Sequence, residues 1–595
     1  MRAFSDLLIR FGRHAQEIEL APSRTTDPGQ SIKRADGRFA IRLWNSHECG
    51  LLTEVKGKRL DLWVLGELFR YRGQPGSTRD CAQRFLEELE AGREAASALC
   101  GQFALAAWNE SEHCWSFWTD RCGTVHLYYA DNPEGPAIGT YSAAVYTSSR
   151  RDLDWEALTS FFQNGFFAAD RMYYRDVKIL PGATRYDFDS EGRLIGCNEY
   201  WRWEHNINTR RSEDATIEEF GTILKEVVKD HTSRGRVVLP LSGGLDSRTL
   251  AACVPPLSGV SSYSYGYERR SPETAISRQI ASARALPYTE HMIKPYLFDR
   301  LGDVTRAVEG FQDVTQSRQA SISSWLGQNY DAVLAGHLGD VWCDDVGVHP
   351  QMNEEALLNH TLTKLAKPGN EWLLKNVCLP ESSRNGVQCV RDLIREELAK
   401  HQNIEDPDFR VKVVKITQWT FRWTLASVRM YQAGAFPRMP FYDPRIIDFF
   451  CTVPTAMVSG RRIQTEYLKR FAPELARITW QAYDANLYWA PHFNSLLLPK
   501  RAFQWARRKV NPSVTKFRNW EVQFLPSTEW GHVERHLLEP GLLLHDFVDR
   551  AKITTLLNSL KTAPNRNDGY AVSMLLTLST WLETFHNSRV TTCAS

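Results

Sequence analysis

The chain of 595 residues balances 72 Lys and Arg against 70 Asp and Glu, and a formal net charge of +2 speaks against nucleic acid or an anionic membrane as its main partner. With 43% hydrophobic and 24% charged residues it is a globular chain long enough to bury a large core, so disorder is excluded as the starting expectation. No run of 18 apolar residues occurs, and the start of the chain, where Arg10 and Arg13 follow soon after Arg2, lacks the apolar stretch of a signal peptide.

The best apolar stretch, Val572 to Leu582, is short and broken by Ser and Thr. The 12 cysteines form no CxxC, and the pairs Cys114/Cys122 and Cys378/Cys389 lack zinc-knuckle spacing. They read as small buried hydrophobes in a reducing compartment, which predicts a cytoplasmic protein with no membrane segment.

In chain order, the first 200 residues read as short strands between polar turns, for example Gln102–Trp108 and Trp115–Thr119, with Leu180-Pro181-Gly182 closing another. One helix stands out, Ala82 to Leu99, with Phe85, Leu86 and Leu89 on one face. The polar stretch Trp203 to Asp214 marks a boundary, which divides the chain into 1–205 and 206–595. Beyond it helices alternate with buried strands, the pattern of an α/β parallel sheet, and after about residue 350 helical patterns dominate. There is no internal repeat.

The segment Arg236 to Leu241 is a buried-strand pattern, followed at once by Ser242-Gly243-Gly244-Leu245-Asp246-Ser247 and a helix opening at Arg248. A strand, a Gly-rich loop and a helix aim backbone N–H groups at phosphate oxygens. The two glycines allow close approach, and Ser242 and Ser247 add hydroxyl donors. Asp246 makes sense there if Mg²⁺ sits between its carboxylate and the phosphates. The loop lacks the Gly-Lys-Ser/Thr of a Walker A sequence.

The hexapeptide resembles the pyrophosphate-loop motif of ATP pyrophosphatases, and the rest of the chain is similar to class B asparagine synthetases and their relatives. Tyr263-Ser264-Tyr265-Gly266 resembles the second strand, under the adenine. Ser271-Pro272-Glu273 with Ile276, Ile280 and Ala283, then Glu290-His291, resembles the next helix and strand. Val333-Leu334-Ala335-Gly336-His337-Leu338-Gly339-Asp340 resembles the block with a second metal-binding aspartate, and Arg438-Met439-Pro440-Phe441-Tyr442-Asp443 a block of the helical domain. Gly101-Gln102-Phe103-Ala104, Asp120-Arg121, Tyr128-Tyr129 and Leu180-Pro181-Gly182 fall in the order of the family's glutaminase domain.

The resemblance implies an α/β protein: an N-terminal Ntn-type αββα glutaminase-like sandwich, then an adenine-nucleotide α-hydrolase-like synthetase domain with a parallel sheet and helical extension. It implies that Pro240, Ser242, Gly243, Gly244, Leu245, Asp246, Ser247, Tyr265, Gly266, Ala335 and Gly336 bind ATP. Asp246 and Asp340 would hold Mg²⁺ and, with His337, form the catalytic set.

Four departures bear on function. The family's glutaminase needs cysteine at position 2, where this sequence has Arg2 and no cysteine before Cys49, so glutamine hydrolysis is not expected. His337 stands where asparagine synthetases carry glutamate and β-lactam synthetases tyrosine. Phe436 replaces a glutamate, and the Arg-x-Lys expected after Leu468-Lys469-Arg470 is missing from Ala476-Arg477-Ile478-Thr479-Trp480-Gln481.

The chain thus resembles the cysteine-less branch of β-lactam synthetases and lasso peptide cyclases, and the latter more closely. That implies adenylation of an Asp or Glu side chain of a precursor peptide and macrolactam closure by its N-terminal amine, with AMP and pyrophosphate released. A leader peptidase and a leader-binding protein would be further partners. An ammonia-dependent asparagine synthetase or other intermolecular amide ligase, and a non-catalytic scaffold, are the alternatives.

His337 as general base, near its ordinary pKa of roughly 6.5, is weighed against a hydrogen-bonded structural histidine. His291 reads as structural. Lys500, Arg501, Arg507, Arg508, Lys509, Lys516 and Arg518, among Phe503, Trp505, Phe517 and Trp520, read as a solvated helix face rather than a nucleic-acid patch, with reception of peptide or pyrophosphate a minor reading. Glu466 and Lys469 fit either catalysis or a surface pair, and Trp419, Trp423, Tyr431, Trp480 and Tyr488 either core packing or pocket walls.

Overall fold

The computed structural model describes residues 4–25, 29–33, 38–45, 51–93, 95–131, 135–146, 152–268, 271–377, 386–492, 495–496, 498–499 and 518–587. The basic stretch from Lys500 to Phe517, together with Arg2, Cys49 and Cys378, lies outside them. The N-terminal part stacks two antiparallel sheets. Strands Ser5–Phe11 and Phe39–Asn45 lie at the heart of a six-stranded sheet, and Leu60–Tyr71 and Leu99–Asn109 of a seven-stranded one.

Alternation along these strands makes the layers. Leu7, Ile9 and Phe11 meet Trp63, Leu65, Ala104 and Ala106 in a dry interior between the sheets. On the far side of the seven-stranded sheet, Leu62, Val64 and Leu105 pack under helix Thr78–Glu90 through Phe85 and Leu86. The outer face of the six-stranded sheet, with Leu8 and Tyr128, packs into the same core as the C-terminal half, beneath helices Ser142–Val145 and Trp155–Asn164. The αββα order expected from the resemblance is present.

The helix differs from the expected Ala82–Leu99. It starts earlier because Ser77 and Asp80 form a reciprocal capping box. It stops at Glu90 because Gly92 turns the chain at φ 69°, and Leu99 already opens the next strand.

The C-terminal half is built on five parallel strands in the spatial order Tyr288–Met292, Ser261–Gly266, Val237–Pro240, Ala332–Leu334 and Phe436–Arg438. The chain starts in the middle, adds two strands to one side, then crosses to the other. That reversal leaves a crevice between the carboxyl ends of Val237–Pro240 and Ala332–Leu334, where ligands of such sheets bind. The block around Arg438, expected in the helical part, instead supplies the edge strand, and Pro437 is tolerated there because an edge needs fewer ladder donors.

Helices from Glu354 onward form the extension, and Arg566–Trp581 runs buried through it. Among the described residues no helix is long and apolar enough to cross a membrane. The described cysteines are all unpaired thiols.

Candidate active site

The Ser242–Ser247 loop leaves the central strand and enters helix Asp246–Cys253. It is pre-shaped by its own hydroxyls: the Ser242 N–H donates to Ser247 Oγ at 3.1 Å and the Gly244 N–H to Ser242 Oγ at 3.2 Å. Gly243 is required by its neighbour, since a Cβ there would sit 2.3 Å from Gln481 Oε1, and its carbonyl accepts the Gln481 N–H at 3.1 Å. The segment Ala476–Gln481 therefore backs the loop. Its one cation, Arg477, is exposed. Pro240 ends the strand, and the Leu241 N–H donates to Tyr263 O at 2.7 Å, which ties the loop to the strand ending in Tyr265 and Gly266.

Across the crevice, Ala335 and Gly336 follow strand Ala332–Leu334, and the Ala335 N–H donates to Arg438 O at 2.8 Å. Leu338 holds a left-handed φ of 76° and caps the short helix Gly339–Trp342, which carries Asp340. Strain of this kind, costing about 1–3 kcal/mol, persists where surrounding structure over-determines it, as at functional sites. The two loops touch. A Cβ on Gly339 would lie 2.8 Å from Asp246 Oδ1 and 2.9 Å from the Phe441 ring, and one on Gly336 would lie 3.5 Å from Asp246 Cβ. Glycine at these turns lets the two aspartates share one cleft.

Burial pushes the Asp246 carboxyl up to about 6; Arg461 opposes the shift and Asp340 adds to it. Arg461 Nη1 lies 2.9 Å from Asp246 Oδ1, Gln464 Nε2 donates to the same oxygen at 3.0 Å, and Arg461 Nε reaches Asp344 at 3.4 Å. Arg461 itself is left-handed, with φ 63°. It and Asp344 carried no motif in the sequence. The signal available was the Gly460-Arg461 pair, a left-handed turn before helix Arg462–Phe471.

Mg²⁺ is usually held by one or two carboxylates plus phosphate oxygens, and the Asp246 carboxyl with the exposed Asp340 beside it fits that donor set. Among the described residues no cluster of three or more His, Cys, Asp or Glu could hold a metal alone.

His337 is half-buried beside this cleft, its ring 6.4 Å from that of Tyr431, and its Nδ1 is buried without a hydrogen bond. Burial pushes the imidazole down to about 4, and Asp340 only partly offsets this. The expectation of a pKa near 6.5 is corrected: desolvation outweighs the carboxylate, and the ring is neutral at physiological pH.

His291 packs edge-on to Trp325 at 4.2 Å. Glu466 and Lys469 pair with each other at 2.8 Å. Trp419 and Trp423 stack at 5.2 Å, Tyr431 is buried in the core, and Tyr488 is exposed.

The N-terminal part meets this half through buried polar contacts. Arg438 forks onto Glu67 at 2.6 and 2.7 Å, Gln102 accepts the Met439 N–H at 2.7 Å, and Arg429, paired with Glu309 of its own half, donates to the Tyr128 hydroxyl at 2.6 Å. A cavity of about 40 Å³ lies at this junction, lined by Arg24, Gly66, His126, Thr140, Arg429 and Gln432 among others.

Two domain families match the chain in this order. A glutamine amidotransferase domain matches residues 81–201 and an asparagine synthase domain residues 219–583. Asparagine synthetase [glutamine-hydrolyzing] 1 of Bacillus subtilis (strain 168) is 21% identical over 436 residues, 64% of this chain, and the match spans just under two thirds (66%) of that relative. Among solved structures, the glutamine phosphoribosylpyrophosphate amidotransferase from B. subtilis complexed with ADP and GMP covers 49% of this chain and 66% of its own at a TM-score of 0.22 and 12% identity. An allosteric regulatory enzyme of purine biosynthesis covers 49% and 81% at a TM-score of 0.23 and 11% identity. With the Ser242–Ser247 loop facing the Asp340 turn across the crevice, and with the asparagine synthase domain matching more than half of its length, the chain belongs to the asparagine synthase family.

Proposed function

We propose that this protein is an ATP-dependent ligase that forms a C–N bond within one substrate: it adenylates an Asp or Glu side chain of a peptide and closes a macrolactam with the peptide's N-terminal amine. The observation that carries the reading is one cleft holding a phosphate-shaped loop, Asp246 beside the Asp340 turn, and a neutral imidazole at His337. A carboxylate is a poor electrophile, and adenylation supplies a leaving group. Its oxygen attacks the α-phosphorus, the bond to the β-phosphate oxygen breaks, and pyrophosphate departs with the electron pair. Bound between Asp246 and Asp340, Mg²⁺ would neutralise charge on the phosphates.

The loop N–H groups other than those of Ser242 and Gly244, with the hydroxyls of Ser242 and Ser247, orient the nucleotide, and Pro240, Leu245, Tyr265, Gly266, Ala335 and Gly336 shape its pocket. His337, neutral and with one free nitrogen, is suited to accept the proton that the attacking amine loses. Tethering amine and carboxylate in one molecule makes the attack effectively unimolecular. The N-terminal part acts as a structural partner and does not supply ammonia. A leader peptidase and a leader-binding protein would deliver the precursor peptide.

Incubating the leader-free precursor with ATP and Mg²⁺ should give a product lighter by one water, with a blocked N-terminus and one acidic side chain consumed. Asparagine from aspartate and ammonia, with no cyclised peptide, would replace this reading by that of an ammonia-dependent synthetase, with which the likeness to the B. subtilis asparagine synthetase is also compatible.

A further inference from the structure

Helix Arg462–Phe471 starts from a turn in which Gly460 and Arg461 are both left-handed, at φ 65° and 63°. Glycine takes that conformation freely, but an arginine there is strained and persists only where its neighbours hold it. Asp344 is one such neighbour. Its Oδ1 accepts the Gly460 N–H at 3.0 Å, and its Oδ2 faces Arg461 Nε at 3.4 Å. The far end of the guanidinium, Nη1, donates to Asp246 Oδ1 at 2.9 Å and to Gln464 Oε1 at 3.1 Å.

Gln464, fully buried, closes a triangle by donating from Nε2 to the same Asp246 oxygen at 3.0 Å. Its amide serves both partners in one orientation only, because a guanidinium only donates and a carboxylate only accepts. Asp246 Oδ1 is thus held by two donors and lies against the Gly339 turn. Its Oδ2, by contrast, accepts no hydrogen bond from a described residue and still reaches solvent. Gripping one oxygen fixes the rotation of the carboxylate, and with it the direction of the other oxygen.

We propose that Arg461 and Gln464 are positioning residues for the metal: they hold Oδ1 so that Asp246 offers Oδ2 to Mg²⁺ on the side of Asp340. This rests on the reading above in which the two aspartates hold Mg²⁺. Asp344 anchors the device by keeping the strained turn and the guanidinium in place. Carboxylate ligands are oriented by outer hydrogen bonds of this kind, and losing one typically costs roughly 10–100-fold in metal affinity. A guanidinium that merely stood in the metal's place would compete with it, and weakening its grip would tighten metal binding instead.

The test is calorimetric titration of a non-hydrolysable ATP analogue into the full chain, with Mg²⁺ and separately with EDTA. The proteins are the unaltered chain, Gln464→Met, Arg461→Lys and the surface control Arg462→Lys. Gln464→Met and Arg461→Lys leave the charge of the site unchanged and so report orientation; lysine lacks the planar fork that spans Asp344 and Asp246. Each should weaken the magnesium complex by roughly tenfold or more and leave the metal-free analogue within about threefold. Arg462, exposed and paired with Glu213, should have no effect. A folded Gln464→Met chain, judged by circular dichroism, overturns the proposal alone if it binds the magnesium complex as well as the unaltered one or better, or if it loses the metal-free analogue equally. Should Gln464→Met not fold, Arg461→Lys is read in the same way. An unaltered chain that binds the analogue equally with and without Mg²⁺ overturns the two-aspartate reading with it.

Discussion

His337 shows how one side chain's surroundings change what its identity implies. Its sequence position suggests a base titrating near neutrality, yet burial pushes it down to about 4. It is therefore neutral at any working pH above about 5 and a weaker base than a free imidazole; in the proposed reaction it takes the proton of the attacking amine. His337→Gln should slow amide formation more than adenylate formation, read by product mass against pyrophosphate release. It should also alter acid stability. The unfolded imidazole takes a proton near pH 6.5 and the folded one only near 4, so the folded state binds fewer protons in between. Stability linked to His337 is present above about pH 6.5 and drains as pH falls toward 4. The glutamine variant should lose less thermal stability over that window; melting curves that fall in parallel for both proteins would contradict the shift.

Among elements, the strand–turn–helix units were the most legible in the sequence. Val237–Pro240 with its loop, and Ala332–Leu334 with the Gly336–Asp340 turn, combine a buried apolar run with glycines at places where backbone must approach side chains. What stayed hidden was short or set by distant neighbours. Strand Phe436–Arg438 has three residues and a proline, too few for any period, and exists because Ala332–Leu334 offers it a ladder. Arg461 was invisible as a site residue because its partner there, Asp246, is far away in sequence. The Gly336–Asp340 turn yields a sharp prediction. In Gly339→Ala the new methyl meets Asp246 Oδ1, Asp246 Cγ and the Phe441 ring all within 2.9 Å. Overpacking of this kind costs about 1–3 kcal/mol and here displaces a carboxylate. The variant should remain folded but bind a magnesium complex of a non-hydrolysable ATP analogue at least tenfold more weakly in calorimetry; unchanged affinity would mean that the two loops do not share the nucleotide.

At the scale of the whole molecule, the N-terminal sandwich and the parallel sheet meet at Arg438. Its side chain forks onto Glu67 while its carbonyl accepts the Ala335 N–H, so the residue that docks the sandwich also holds the turn leading to His337 and Asp340. Burial alone would raise the Glu67 carboxyl, but the Arg438 guanidinium outweighs it and holds the carboxyl below its ordinary value. This stabilisation is present above the usual carboxylate range and is lost as pH falls through the depressed value. Glu67→Ala leaves Arg438, 4% exposed, facing the junction without its carboxylate. Breaking a buried pair by removing one partner costs about 3–5 kcal/mol, so chemical denaturation should show a loss of that order. If the sandwich buttresses the site through Arg438, pyrophosphate release should also fall in Glu67→Ala, although Glu67 lies in the other half of the chain. Replacing both partners with apolar residues, as in Glu67→Leu with Arg438→Met, should restore stability more fully than turnover, because the fork that fixes the position of Arg438 is gone. A Glu67→Ala protein with unaltered unfolding and unaltered pyrophosphate release would show that the two halves work independently.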